Sequence, residues 1–324
     1  MTLNDGSPII IRSNHLTAEI AAPGAVYNRT RFDWTGFITQ VTLDASHTFC
    51  GPEDQDPAVG TGGIGICNEF GIEKAIGYED ALPGQEFPKL GIGLLIRPDA
   101  NPYNFFRPYE IARRFPIRVE AAPQQVRFIV DPLDCRGYAV RETKIIRVDE
   151  NFLQIDYLLE NTGSRPITTH EYCHNFIAIN RQPLGPNYSL RFPYPVRFEE
   201  IHETYRGFLP PLLRRITPGF ILKNLVKRQL SQDVLQVSGQ QIRWKNTPEK
   251  SFYARPLGFS QTGQPQWEII YEPGGVGLRE YDSFAPERVA IWGTGSVVSA
   301  EIFNPIDLPP GQSQSWTRRF EFFD

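Results

Sequence analysis

The stretch Thr143-Lys144-Ile145-Ile146-Arg147-Val148-Asp149-Glu150-Asn151-Phe152-Leu153-Gln154-Ile155-Asp156-Tyr157-Leu158-Leu159-Glu160 decides the fold class. Two runs rich in β-branched and aromatic residues, 143–148 and 152–160, flank turn formers at 149–151, the pattern of an antiparallel hairpin. Toward the N-terminus the same texture recurs at 9–11, 37–43, 90–96, 116–120 and 126–130, with turns such as Ala122-Pro123-Gln124 between runs. Toward the C-terminus it recurs at 241–245, 267–271, 288–292, 297–303 and 316–323. Strands at this spacing, without alternating helices, predict an all-β protein built as a large antiparallel β-sandwich. The 27 Gly and 28 Pro among 324 residues favour turns over long helices.

One segment breaks the texture. Residues 206–232, RGFLPPLLRRITPGFILKNLVKRQLSQ, hold six Lys or Arg and no acid. Phe220, Leu222, Leu225 and Val226 fall at helical spacing, which predicts a short helical insertion in the sandwich. Its basic face lies in water on one reading and on a membrane surface or a partner on the other. No repeat or long linker divides the chain, so 1–324 reads as a single domain.

Composition narrows the function classes. Lys plus Arg is 33 and Asp plus Glu is 37, a formal charge of −4, which argues against a nucleic-acid binder. An aromatic load of 22 Phe, 13 Tyr and 5 Trp excludes disorder. No window reaches the roughly 18 apolar residues of a membrane span. The opening MTLNDGSPII lacks the pattern of a secretory signal, so the expected location is cytoplasmic. Cys50, Cys67, Cys135 and Cys173 form no C-x-x-C pair and read as free thiols.

Two motifs carry chemistry only in the right secondary structure. Gly60-Thr61-Gly62-Gly63-Ile64-Gly65 satisfies G-x-G-x-x-G, but a polar loop precedes it where a dinucleotide site needs a buried strand. His170-Glu171-Tyr172-Cys173-His174 is a literal H-E-x-x-H. On a helix its histidines lie one turn apart and chelate zinc, which keeps a zinc hydrolase among the readings. On a strand they lie roughly 13 Å apart, too far for one ion, and the flanks Pro166-Ile167-Thr168-Thr169 and Phe176-Ile177-Ala178-Ile179 are strand-like. Glu301 interrupts the apolar run 297–303, where a carboxylate must face water, pair, or line a pocket.

Taken in order, these features resemble the aldose 1-epimerases, the galactose-mutarotase-like proteins. Gly24-Ala25 opens toward a strand, and Glu160-Asn161-Thr162-Gly163 ends a hairpin ahead of Cys173-His174-Asn175-Phe176. A strand with Trp292 then precedes the one with Glu301, followed by Leu308-Pro309-Pro310-Gly311 and a final aromatic strand. Asn28-Arg29-Thr30-Arg31-Phe32-Asp33-Trp34-Thr35-Gly36 and Phe87-Pro88-Lys89-Leu90-Gly91-Ile92-Gly93 look like a divergent bacterial branch. The resemblance implies a β-supersandwich with a sugar cleft, with His174 as general acid and Glu301 as general base. It also implies interconversion of the α and β anomers of a monosaccharide without a cofactor. The family's second sugar-binding histidine has no clean equivalent; His170 shares a strand face with His174 and is placed to substitute. Glu69, Lys89, Arg31 and Arg279 stand in glycine-rich or apolar surroundings and are candidates for sugar hydroxyls, against the plainer reading of structural or surface residues. A carbohydrate-binding protein without catalysis is the alternative.

Overall fold

A computed structural model describes residues 7–54, 56, 60–203, 234–258 and 264–324, with side chains omitted at 199–203. The expected insertion at 206–232 lies outside the described residues. In chain order the first strands are β1 (Ile9–Arg12), β2 (Leu16–Ile20), β3 (Ile38–Leu43), β4 (His47–Thr48), β5 (Ile66–Phe70), β6 (Glu86–Lys89), β7 (Gly93–Ile96) and β8 (Ile111–Arg114). There follow β9 (Ile117–Ala122), β10 (Gln125–Val130), β11 (Val140–Asp149), β12 (Phe152–Asn161), β13 (Ile167–Asn175), β14 (Tyr188–Arg191) and β15 (Arg197–Glu203). The last third holds β16 (Leu235–Ser238), β17 (Gln241–Trp244), β18 (Phe252–Leu257), β19 (Trp267–Tyr271), β20 (Val276–Asp282), β21 (Arg288–Gly293), β22 (Val298–Leu308) and β23 (Ser313–Phe323).

Among the described residues two ten-stranded antiparallel sheets form the sandwich. One runs β1-β2-β3-β5-β13-β22-β21-β18-β15 with β4 beside β3; the other runs β16-β17-β14-β19-β20-β23-β12-β11-β10-β9. The hairpin β11–β12 sits inside the second sheet and turns through Glu150-Asn151, with Glu150 in the left-handed region at φ 48°. Its inward residues Ile146, Val148, Leu153, Ile155, Tyr157 and Leu159 pack in the main core with Ile167, Cys173 and Ile302 of the facing sheet. This is the all-β sandwich expected from the sequence.

Three local differences have physical causes. The expected strand at 90–96 is a hairpin, β6–β7, followed by β8 in a small third sheet. Gly91, at φ 72°, makes the turn, and a Cβ there would lie 1.9 Å from the Asp33 carboxylate. β22 runs on to Leu308 through Pro305, because β21 pairs with it only as far as Phe303 and that stretch has one neighbour. β5 shows no alternation: Ile66, Cys67, Asn68, Glu69 and Phe70 are all buried, since the sheet is covered on both faces there.

The layer between the sheets also contains charge. Arg318 on β23 binds Glu171 on β13 (2.8 Å) and Glu280 on β20 (2.9 Å), with Asp282 at 3.4 Å. Lys144 on β11 binds Asp33 and lies 3.5 Å from Glu142. Because Glu171 and Cys173 point into the sandwich, His170, Tyr172 and His174 point out of its other side. That alternation places the candidate site.

Candidate active site

Register across the first sheet assembles the site. On its outer face Glu69 of β5 pairs with Tyr172 of β13, Tyr172 with Phe303 of β22, and Phe303 with Arg288 of β21. One step along the strands lie Cys67, His174, Glu301 and Ala290. Neighbouring strands are about 4.8 Å apart, so side chains in one row touch. Nε2 of His174 is 3.3 Å from Oε1 of Glu301, and Ala290 is the cross-strand neighbour of Glu301 on β21.

An aromatic box encloses the imidazole. Phe176 stacks on it at 4.0 Å, while Trp292 at 5.2 Å and Phe32 at 5.7 Å present edges. Burial, with the Arg31 charge acting in the same direction, holds the His174 pKa well below its usual value. Burial pushes Glu301 up to about 7, against the opposing pull of Arg31 and with a further push from Glu69. Nδ1 of His174 has no hydrogen-bond partner among the described residues. The pair therefore holds a proton near neutral pH in a desolvated setting, where acid–base groups are tuned.

A second cluster lies along the neighbouring row. Arg31 donates to Glu69 (2.8 Å), to Thr61 (2.9 Å) and to the Tyr172 hydroxyl (2.9 Å), and Tyr172 donates to the same Glu69 oxygen at 2.5 Å. Glu53 fixes Thr61 by accepting from its N–H and its hydroxyl. Lys89 of β6 donates to the Phe70 carbonyl (2.6 Å) and to the Tyr103 hydroxyl (3.1 Å), 3.6 Å from Glu69 Oε1. Burial lowers the Lys89 pKa to about 8, with Glu69 opposing. Glu69 Oε1 is buried and accepts no hydrogen bond among the described residues, but it faces the Lys89 ammonium at 3.6 Å.

Of the residues expected from sequence, His174, Glu301, Glu69, Lys89 and Arg31 come together here. His170 shares the face but is one-third exposed and ion-paired with Glu287, clear of the cluster. Arg279 does not reach the site: it sits on β20 in the other sheet, bound to Glu268 at 3.0 Å and lying over the Phe323 ring. No site role was expected for Tyr172, Thr61, Arg288 or the box of Phe32, Phe176 and Trp292, because contacts between segments distant in sequence have no local signal. The H-E-x-x-H segment is β13, so its histidines lack the helical spacing of a zinc site. Among the described residues no group of three or more His, Cys, Asp or Glu is arranged to hold a metal ion. The G-x-G-x-x-G loop leads into β5 and not into a helix, with Gly65 packed where a Cβ would lie 2.0 Å from the Ile38 carbonyl. The four cysteines are free and buried. No helix among the described residues is long and apolar enough to cross a membrane.

No protein-family model and no curated protein matches the sequence. Solved structures match over nearly the whole chain. A galactose mutarotase related enzyme from Lactobacillus acidophilus is 10% identical with a TM-score of 0.58, covering 98% of this chain and 97% of its own. A galactose mutarotase-like protein from Clostridium acetobutylicum is 12% identical with a TM-score of 0.56, covering 98% and 95%. An aldose epimerase homologue from C. elegans is 13% identical with a TM-score of 0.52, covering 98% of each chain. The fold of this chain is the galactose-mutarotase-like supersandwich.

Proposed function

We propose that this galactose-mutarotase-like chain is an aldose 1-epimerase, interconverting the α and β anomers of a sugar with His174 and Glu301 as the acid–base pair. The observation that carries the reading is the 3.3 Å approach of two buried side chains brought from distant parts of the sequence. Ring opening takes a proton from the anomeric hydroxyl and returns one to the ring oxygen. Both oxygens are bonded to the same carbon, so the groups serving them must stand side by side.

One proton on the pair is enough. Glu301 as carboxylate accepts the anomeric proton while His174 as imidazolium donates to the ring oxygen and the C1–O5 bond breaks. Rotation about C1–C2 and reclosure on the other face run the same transfers backward. The form with the proton on His174 differs from that with the proton on Glu301 only by transfer across the pair. On this reading Arg31, held beside the pair by Glu69, binds sugar hydroxyls and keeps the ring in register.

A specific observation favours a second reading, a sugar-binding protein without turnover. Burial keeps His174 a neutral imidazole, without the proton the acid step needs. Anomer exchange followed by NMR from freshly dissolved α-glucose, α-galactose, glucuronate and glucose 6-phosphate separates the two. Acceleration with any of them supports the epimerase; binding without acceleration supports the alternative.

A further inference from the structure

We infer that the loop 101–107 forms a second sugar subsite beside the His174–Glu301 pair, so that the substrate is the reducing end of a neutral oligosaccharide. This deepens the epimerase reading and rests on it. A cavity of about 700 Å³ is lined by this loop together with Ile72 and Glu73, and neither His174 nor Glu301 is part of its wall. That volume is within the usual range for small-molecule sites. A single ring seated on the acid–base pair leaves it unfilled.

The cavity adjoins the row next to the acid–base pair and reaches the pair's own row at Ala290. Ile72 packs against Tyr172, Ala290 and Phe303. Glu73 is ion-paired with Arg288, whose guanidinium lies 3.8 Å over the Phe303 ring. Phe303 projects on the same face as Glu301, two residues along β22. On the other side of the cavity, Phe105 lies over the Arg31 guanidinium at 4.6 Å. One wall therefore belongs to the first subsite and the other to the loop.

The loop has the surface of a carbohydrate site. Phe106 is 62% exposed, which is unusual for so large an apolar side chain, and it rests on Phe105 at 4.0 Å between centroids. Its position is fixed in advance: Asn104 Oδ1 accepts from the Phe106 N–H, and the Tyr109 hydroxyl accepts from the Asn104 N–H. An aromatic face offered to C–H groups, ringed by the amides of Asn101 and Asn104 and the Glu73 carboxylate, suits a pyranose. The lining cation Arg107 is matched by Asp99, and behind the wall Arg288 is matched by Glu73 and Arg31 by Glu69. A phosphate or carboxylate on the sugar would have to break one of these pairs. Because the anomeric hydroxyl must stay free at the catalytic pair, the second ring is attached through a hydroxyl remote from C1.

The test compares kcat/KM for anomer exchange of maltose, cellobiose and lactose with that of glucose, in the full chain and in Phe106→Ala. At least one disaccharide is expected to exceed glucose by about tenfold, the equivalent of one aromatic contact. Phe106→Ala is expected to bring that ratio to about one. A ratio near one in the unaltered protein, or one that Phe106→Ala leaves in place, overturns the subsite while any measured turnover upholds the epimerase. If no sugar is turned over, the epimerase reading fails and titration decides the subsite alone. Disaccharide binding that Phe106→Ala weakens about tenfold then supports it, and absence of disaccharide binding overturns it.

Discussion

Nε2 of His174 and Oε1 of Glu301 lie 3.3 Å apart on adjacent strands, in the same row as Ala290 and Cys67. The pairing is a product of sheet register. β13 and β22 are antiparallel neighbours, and Tyr172 opposite Phe303 sets the row in which His174 meets Glu301. A one-residue slip would turn one of the two into the sandwich. The opposite face of β13 opposes such a slip, because Glu171 is bound there by Arg318 and by Asn68.

The acid–base pair predicts a falling pH profile. Burial raises Glu301 to about 7, and His174 takes up a proton only well below its usual range. The pair therefore carries one proton below about pH 7 and loses it above. After subtraction of the uncatalysed rate, kcat/KM should fall about tenfold per pH unit above that point. A profile that rises through pH 8 would contradict the assignment.

The clamp around Glu69 predicts an asymmetric loss of stability. Arg31→Ala leaves a fully buried carboxylate without its main partner and should cost about 3–5 kcal/mol. Arg31→Ala combined with Glu69→Gln removes the stranded charge and should recover part of that loss. Denaturant melts of the two variants give the comparison. Equal destabilisation by both would show that the clamp is merely packing.

Carboxyls between the sheets predict that the fold weakens as pH rises. Burial pushes Glu142 and Asp282 well above the usual carboxylate range, with Asp33 adding to the first and Glu280 to the second. Groups raised in the folded state bind protons more tightly there than in the unfolded chain. The stability they permit is complete below the unfolded carboxylate pKa, near 4, and declines as pH rises from there. Asp282→Asn should therefore stabilise by roughly 1–3 kcal/mol at pH 8 and by almost nothing near pH 4. Melting curves at the two pH values decide it, and a benefit independent of pH would refute it.

The sandwich was legible where one face of a strand is wet or where turn residues punctuate the chain. Residues 267–271 form a strand with the expected bounds, and the 143–160 hairpin is longer than expected but correctly placed. β5 was not legible, because covering both faces buries Asn68 and Glu69 along with Ile66 and erases the alternation. His174 and Glu301 stand out locally, one in an H-E-x-x-H match and the other as a carboxylate in an apolar run, but their roles come only from the resemblance. Tyr172 was missed for a different reason. Its role comes from lying between Glu69 and Phe303 across three strands, a relation that register creates. Arg31 and Arg279 are equal candidates in sequence, yet the fold sends one to Glu69 and the other to the far sheet.

The most direct test of the account is anomer exchange in Glu301→Gln, measured by NMR with a sugar the unaltered protein turns over. The substituted amide keeps the shape of the carboxyl and removes a charge that burial disfavours, so the variant should fold with unchanged or higher melting temperature. It cannot accept the anomeric proton, and the catalysed rate should fall by about 10²–10⁴. A folded Glu301→Gln protein that exchanges anomers at the original rate would contradict the central claim that this carboxyl, beside His174, does the chemistry.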